Sequence, residues 1–175
     1  MDFQSYIKTL NTDVTYIKGV GEKRKIMLNR LSLYNVWDII YNFPKDYEDR
    51  RTFVKICDAK EGERCCIKAV LSSFPMQKRI KKNIVLCALP VNDGTGVIFV
   101  KWFSTPQSPV TFALGAGYIF YGKVTKNFGK LELEMLEAER ADNAENVLKI
   151  MPVYHLTKGV TQKFVRGTVK NAFDK

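Results

Sequence analysis

The chain is poor in the features that would declare a chemistry. It has one histidine, His155, and four cysteines (Cys57, Cys65, Cys66, Cys87) without Cys-x-x-Cys spacing, so no zinc-ligand set is legible. Cys65 and Cys66 are neighbours in a strand-like run and point to opposite faces. This argues against a disulfide between them and leaves buried or half-buried thiols of a reducing compartment. The patterns GxxxxGK[ST], HExxH and GxSxG are missing, and His155, between Tyr154 and Leu156, reads as structural. No apolar run approaches ~18 residues, which excludes a helical membrane span. The start, MDFQSYIKTLNTD, lacks the apolar core of a secretory leader, so a cytoplasmic location is expected. Internal repeats and low-complexity stretches are absent. Acidic residues are also in short supply, at 18 against 28 Lys and Arg.

That shortage is uneven. Residues 131–175 hold seven basic and seven acidic groups, whereas residues 1–130 hold the other 21 basic and 11 acidic groups and the whole net charge of +10. A basic body with a neutral tail suits a polyanion, nucleic acid before an anionic membrane. At 175 residues and 46% hydrophobic residues, the chain is long and apolar enough for one ordinary domain with an appendage.

Three blocks are expected. Residues 1–51 read as a helical N-terminal segment. A Gly-rich turn (Gly19, Gly21) is followed by a run with Ile26, Met27 and Leu31 as an apolar stripe. A second helix covers Val36–Asn42, with Trp37, Ile40 and Tyr41 at helical spacing, and Pro44 stops it. Residues 52–145 read as β, with strands at Arg64–Ser73, Ile84–Val91, Gly96–Phe103, Tyr118–Lys126 and Lys130–Glu139. Turn signals separate them, including Asn92-Asp93-Gly94 and Asn127-Phe128-Gly129. Five short strands in so compact a span predict a small closed barrel. The fold class is therefore mainly β with a helical N-terminal part: a five-stranded OB-fold barrel preceded by a short helix-hairpin-helix-like segment. Residues 146–175 read as an extended segment and a helix over Thr161–Asp174, which ends without a capping signal, as in a chain that continues.

Three stretches point to nucleic acid. IKGVG (17–21) has the glycine spacing that lets backbone N–H groups at a helix start approach a phosphate, so Lys18, Gly19, Gly21 and Lys23 form a candidate phosphate-binding hairpin. A plain interhelical turn with a solvated basic face is the other reading. QKRIKKN (77–83) joins the first two strands as a basic loop with Lys78, Arg79, Lys81 and Lys82, where such barrels build one wall of their oligonucleotide groove. VIFVKWFST (97–105) carries two adjacent aromatics. Period 2 puts Trp102 with Ile98 and Val100 and puts Phe103 with Phe99 and Lys101, so Trp102 reads as core and Phe103 as the ring that meets a base. The acidic ELEMLEAERADNAE (132–145) reads as a solvated strand face running into a loop.

The segments YIKGVGEKRKIMLNRLSLYNVWDIIYNFPKDYEDR (16–50), NDGTGVIFVKWFS (92–104), GAGYIFYGKV (115–124) and MPVYHLTKGVTQKFVRGTVKNAF (151–173) resemble, in this order, the N-terminal wedge region of the bacterial RecG family of ATP-dependent DNA helicases. The resemblance implies an OB-fold wedge that binds branched DNA, forks and Holliday junctions. It splits the duplex while a C-terminal helicase motor, absent from these 175 residues, drives fork regression and junction migration in repair and recombination. ATP and Mg2+ would belong to that motor, and this chain carries no catalytic residue for them. The resemblance places Phe103 where an unpaired base is capped, with Trp102 as a further stacking candidate. It makes Lys101 and the 78–82 cluster phosphate contacts, and Gln107 and Lys123 join them as candidate DNA-binding residues. Gln107 stands where many members have a second stacking tyrosine, in a loop about two residues longer, and Phe112 or Trp102 are substitutes for it. Expected partners are branched and single-stranded DNA, the motor of the same protein and a single-strand-binding protein, and no membrane; the location is bacterial and nucleoid-associated. Two other readings stay open: a general single-strand-binding OB domain, and a protein-interaction module.

Overall fold

Alternating apolar and polar positions dominate residues 64–140, and in the computed structural model they become strands. The structure describes residues 3–105, 111–142 and 149–174. In chain order the elements are α1 (Phe3–Leu10), a 3-10 turn (Val14–Tyr16), α2 (Glu22–Asn29), α3 (Val36–Ile40), β1 (Asp46–Asp49) and a second 3-10 turn (Ile56–Asp58). Then come β2 (Arg64–Leu71), β3 (Met76–Lys81), β4 (Ile84–Asn92), β5 (Val97–Ser104), β6 (Gly117–Asn127), β7 (Lys130–Arg140), β8 (Ile150–Val153) and α4 (Gln162–Phe173). They form two compact units, one of residues 1–48 with 151–175 and one of residues 49–150.

The second unit is the barrel. Its strands run β2–β6–β7–β5–β4, and β4 returns to β2 through Val70↔Asn92 and Leu71↔Val91, so the ring closes. Every pairing in the ring is antiparallel except β5 with β7, the Greek-key arrangement of an OB fold. Inward positions alternate along each strand and meet in one core that includes Ile67, Leu89, Ile98, Val100, Phe120, Val124 and Leu133. The ring needs a glycine at one point. Gly122 lies at a register shift between β6 and β7, and a Cβ there would collide with the Glu134 carbonyl oxygen. Asp93, in the turn before β5, accepts hydrogen bonds from the Ile56 and Thr95 amides, both at 2.9 Å, and ties the second 3-10 turn to the barrel. Burial acts against its ionisation, but these bonds together hold its carboxyl below the usual range.

The five expected strands are present with ends shifted by no more than two residues. The basic stretch 77–83, however, is not a loop. Residues Met76–Lys81 are β3, an edge strand on β4 with a bulge between Arg79 and Lys81. All six of its residues are exposed, so no alternation marked it, and only pairing with β4 makes it a strand. Cys65 and Cys66 do face opposite ways, Cys65 into the barrel core and Cys66 into a small outer cluster with Ile119 and Tyr121. Burial pushes the Cys65 and Cys87 thiols up, as for inert core groups.

The first unit packs Val14, Ile17, Val20, Leu28, Leu33, Val36 and Ile39 against Ala172 of α4. The last block, expected as a lead-out segment, therefore folds back to complete the helical core. Asn35 and Asp38 form a reciprocal capping box on α3, and Thr161 caps α4. Two expected helix faces need correction. Leu28, not Ile26, is the buried residue of α2, and α3 buries Val36 and Ile39. Trp37 and Tyr41 instead stack on each other outside, at 4.2 Å. Helices of two turns or fewer offer too few positions for periodicity to fix a phase. The segment before Gly19 is a 3-10 turn rather than a full first helix.

Candidate nucleic-acid interface

The outer face of β4 and β5 is set by register. Leu86 lies opposite Phe103, and Ala88 opposite Lys101, on the side away from the core. Phe103 is 72% exposed at the end of β5, while its neighbour Trp102 is 7% exposed and belongs to the core. The Trp102 ring meets Phe112 edge-on at 5.4 Å, and Phe112 in turn meets Tyr118 at 5.0 Å. Trp102 is therefore corrected from a stacking candidate to a core residue, because its faces are covered by barrel side chains. Phe112 is half-buried and held in the same aromatic cluster, packed against the barrel core. Gln107 lies outside the described residues.

Around Phe103 an open recess is lined by Ile80, Lys81, Ile84, Ser104 and Thr105. The exposed Ile80 and Ile84 were not legible as site residues, since an isoleucine in a strand reads as core. Here β3 is an edge strand on β4 whose residues are all exposed. Lys78 and Lys81 share their side of β3 with Leu86 and Ile84, while the guanidinium of Arg79 donates to the Lys82 carbonyl at 2.8 Å. Lys101 is less available than expected: its ammonium is 2.6 Å from a Glu132 carboxylate oxygen. Lys123 is exposed on β6, with β7 between it and β5, so it does not border the Phe103 recess.

A second recess continues along the same outer face, between Met76 and Lys78 of β3 and Lys130 of β7, with Leu86, Ala88 and Phe99 as its floor. Two shallow depressions with an aromatic, aliphatic patches and a basic rim can hold a single strand by stacking and by phosphate contacts. Among the described residues no group of His, Cys, Asp or Glu could hold a metal ion.

The glycine turn lies in the helical unit. Gly19 has φ of +86°, Val20 N–H donates to the Ile17 carbonyl, and Gly21 caps α2 through its backbone alone. Its carbonyls are engaged internally: Arg24 donates to Gly19 at 2.6 Å, and Asn171 donates to Lys18 at 2.8 Å. Lys25 pairs with Asp13 at 2.7 Å. That ammonium, with the Thr15 amide and hydroxyl, holds the Asp13 carboxyl at about 2. Lys18, Lys23 and Arg24 are all exposed, with Arg24 engaged on the Gly19 carbonyl.

A family model described as RecG wedge domain matches residues 13–175. The ATP-dependent DNA helicase RecG of Thermotoga maritima is 34% identical over 160 residues, covering 90% of this chain and 20% of that protein. The RecG of Borreliella burgdorferi is 31% identical, covering 90% of this chain and 24% of its own length. A solved structure of RecG bound to a three-way DNA junction aligns over 92% of this chain and 22% of its own, with a TM-score of 0.72 and 30% identity. The chain thus spans about a fifth to a quarter of the length of these relatives.

Proposed function

The chain belongs to the RecG wedge domain family, and we propose that it is the branched-DNA-binding wedge of an ATP-dependent DNA helicase that regresses stalled forks and migrates Holliday junctions. The observation that carries this reading is the split of the aromatic pair, with Trp102 in the core and Phe103 exposed beside Lys81 in an apolar recess. As a duplex is drawn past the barrel, the parted base loses its stacking partner. The Phe103 face replaces that contact without reading sequence, and the exposed lysines of β3 hold the phosphates. That a relative is solved on a three-way junction supports the choice of branched DNA as ligand.

In this reading the wedge breaks no covalent bond. ATP and Mg2+ act in the motor of the parent protein, which is the wedge's intramolecular partner; the parent works on the bacterial nucleoid, and a single-strand-binding protein is a further partner. Lys18, Gly19, Gly21 and Lys23 serve as a second, phosphate-holding contact on the helical unit, and Lys101 and Lys123 add positive potential on the barrel.

Gel-shift titration of the 175-residue chain on a three-way fork and on matched linear duplex tests the proposal. The fork is expected to bind more tightly. Phe103→Ala is expected to weaken fork binding by about 1–3 kcal/mol, the contribution of one stacked base, with little change in folding stability because the ring is exposed. Equal affinity for fork and duplex, or an undiminished Phe103→Ala variant, would sink the wedge mechanism. Comparable affinity for unbranched poly-dT would favour a general single-strand binder instead.

A further inference from the structure

Phe128 is 99% exposed, the most exposed large hydrophobic residue among those described. It sits at the tip of the hairpin between β6 and β7, in the turn Asn127-Phe128-Gly129, and its φ is +47°. Gly129 follows with φ of +78°, so both central residues of the turn are left-handed. Such turns favour Asn and Gly, and a side chain with a Cβ is disfavoured there. The ring buries no surface that would offset this strain. The turn carries exposed lysines on both sides, Lys126 and Lys130, and Lys130 also borders the recess floored by Leu86, Ala88 and Phe99.

Strand register locates this tip relative to Phe103. β5 and β7 are parallel, with Phe99 opposite Glu132 and Lys101 opposite Glu134. Carried back along β7, the same offset puts Phe128 level with residue 95, eight positions before Phe103. At ~3.3 Å per residue the two backbone positions lie roughly 26 Å apart along the barrel, a span of roughly eight stacked nucleotides at ~3.4 Å each. Between them lie the apolar floor, the basic rim of Lys78 and Lys130, and the Lys101–Glu132 ion pair, in which the one carboxylate of this lining is neutralised.

We propose that Phe128 is a second base-stacking group of the wedge. It holds the far end of the unpaired strand that leaves Phe103, crosses the outer face of β4 and β5, and reaches the β6–β7 tip. The charge on both sides of the ring favours a polyanion over an apolar protein surface as occupant, and a strained aromatic retained in full solvent is accounted for by a ligand that covers it. This rests on the wedge reading for the fork, and adds to it a path, a direction and a second anchor.

The test compares Phe128→Asn, Phe128→Ala and Phe128→Tyr with the unmodified chain, using a fluorescein-labelled three-way fork that carries an unpaired arm. Phe128→Asn suits the left-handed turn, so its melting temperature should rise by about 2–6 °C, while fork affinity falls by roughly tenfold. Phe128→Ala should lose affinity similarly, and Phe128→Tyr should retain it. Fork binding that survives Phe128→Asn undiminished overturns the proposal. Equal loss in Phe128→Tyr also overturns it, because a ring is still present. Phe103→Ala, run in parallel, separates the two ideas: loss there without loss at Phe128 keeps the wedge reading and removes the second anchor. Loss at Phe128 without loss at Phe103 overturns the wedge reading and, with it, the path from Phe103 on which this proposal rests.

Discussion

Arg50 shows how much one side chain can organise outside the core. It is 4% exposed, its guanidinium lies 3.5 Å from the centre of the Tyr121 ring, and one nitrogen is 2.8 Å from a Glu137 carboxylate oxygen. Tyr121 and Glu137 are cross-strand partners on β6 and β7, so the arginine clamps the outer face just where Gly122 shifts the register. Removing one partner of a buried ion pair costs about 3–5 kcal/mol. The lower end is expected for Arg50→Ala, since the Glu137 side chain is 25% exposed. Lysine should restore only part, because it lacks the planar fork that stacks and bonds at once. Urea midpoints would check this, and an Arg50→Ala chain of unchanged midpoint would remove the clamp. The run Phe-Pro-x-x-Tyr-x-Asp-Arg was legible as a family mark, yet nothing in it announced that its arginine would be buried. Its partners stand more than 70 residues away in the chain.

At the scale of elements, capping and pairing decide what survives acid. Asp13 closes the first 3-10 turn through the Thr15 amide and hydroxyl and reaches Lys25 on α2. With its carboxyl lowered from 3.8 to about 2, mainly by Lys25 and then by Thr15, folding is favoured by the ionised form. The contribution is complete above pH 3.8 and is lost as pH falls toward about 2. Asp49, held at about 2 by Arg51, titrates in the same window, so the informative comparison is Asp13→Asn against the unmodified chain. The variant should be less stable at neutral pH, and the stability gap should close between pH 4 and 2, as followed by helical circular dichroism. Legibility differed by element for a physical reason. β4, β5 and β7 each have a buried and a more exposed face, and alternation reports that directly, whereas β2 and β6 bury both faces over part of their length and were read from their apolar composition and flanking turns. β3 has no buried face, and α2 and α3 are too short for a stripe to be phased.

At the scale of the whole molecule, the two units are built differently from the chain. The barrel is continuous in sequence, residues 49–150, and holds its own core. The helical unit is made from both ends, with Val165 and Ala172 of α4 buried among or beside residues from the first 40 positions. A fragment of residues 49–150 is expected to fold by itself, whereas residues 1–48 alone should not give dispersed amide signals in an NMR spectrum. Adding a peptide of residues 151–175 should restore them. A well-dispersed spectrum from 1–48 alone would show that α4 is dispensable.

Local sequence determined the five barrel strands through composition and turn signals, the division of Trp102 from Phe103 through period 2, and the helix over 161–174 through helical spacing, because each depends on neighbours within about ten positions. The family, too, was readable from short stretches in fixed order. Tertiary structure decided the rest: the closure of the ring through two residue pairs, the strand that the basic stretch becomes, the pairing of Lys101 with Glu132, and the burial of Arg50. Period 2 states which face a side chain takes. Only the register between strands distant in sequence states what that face meets.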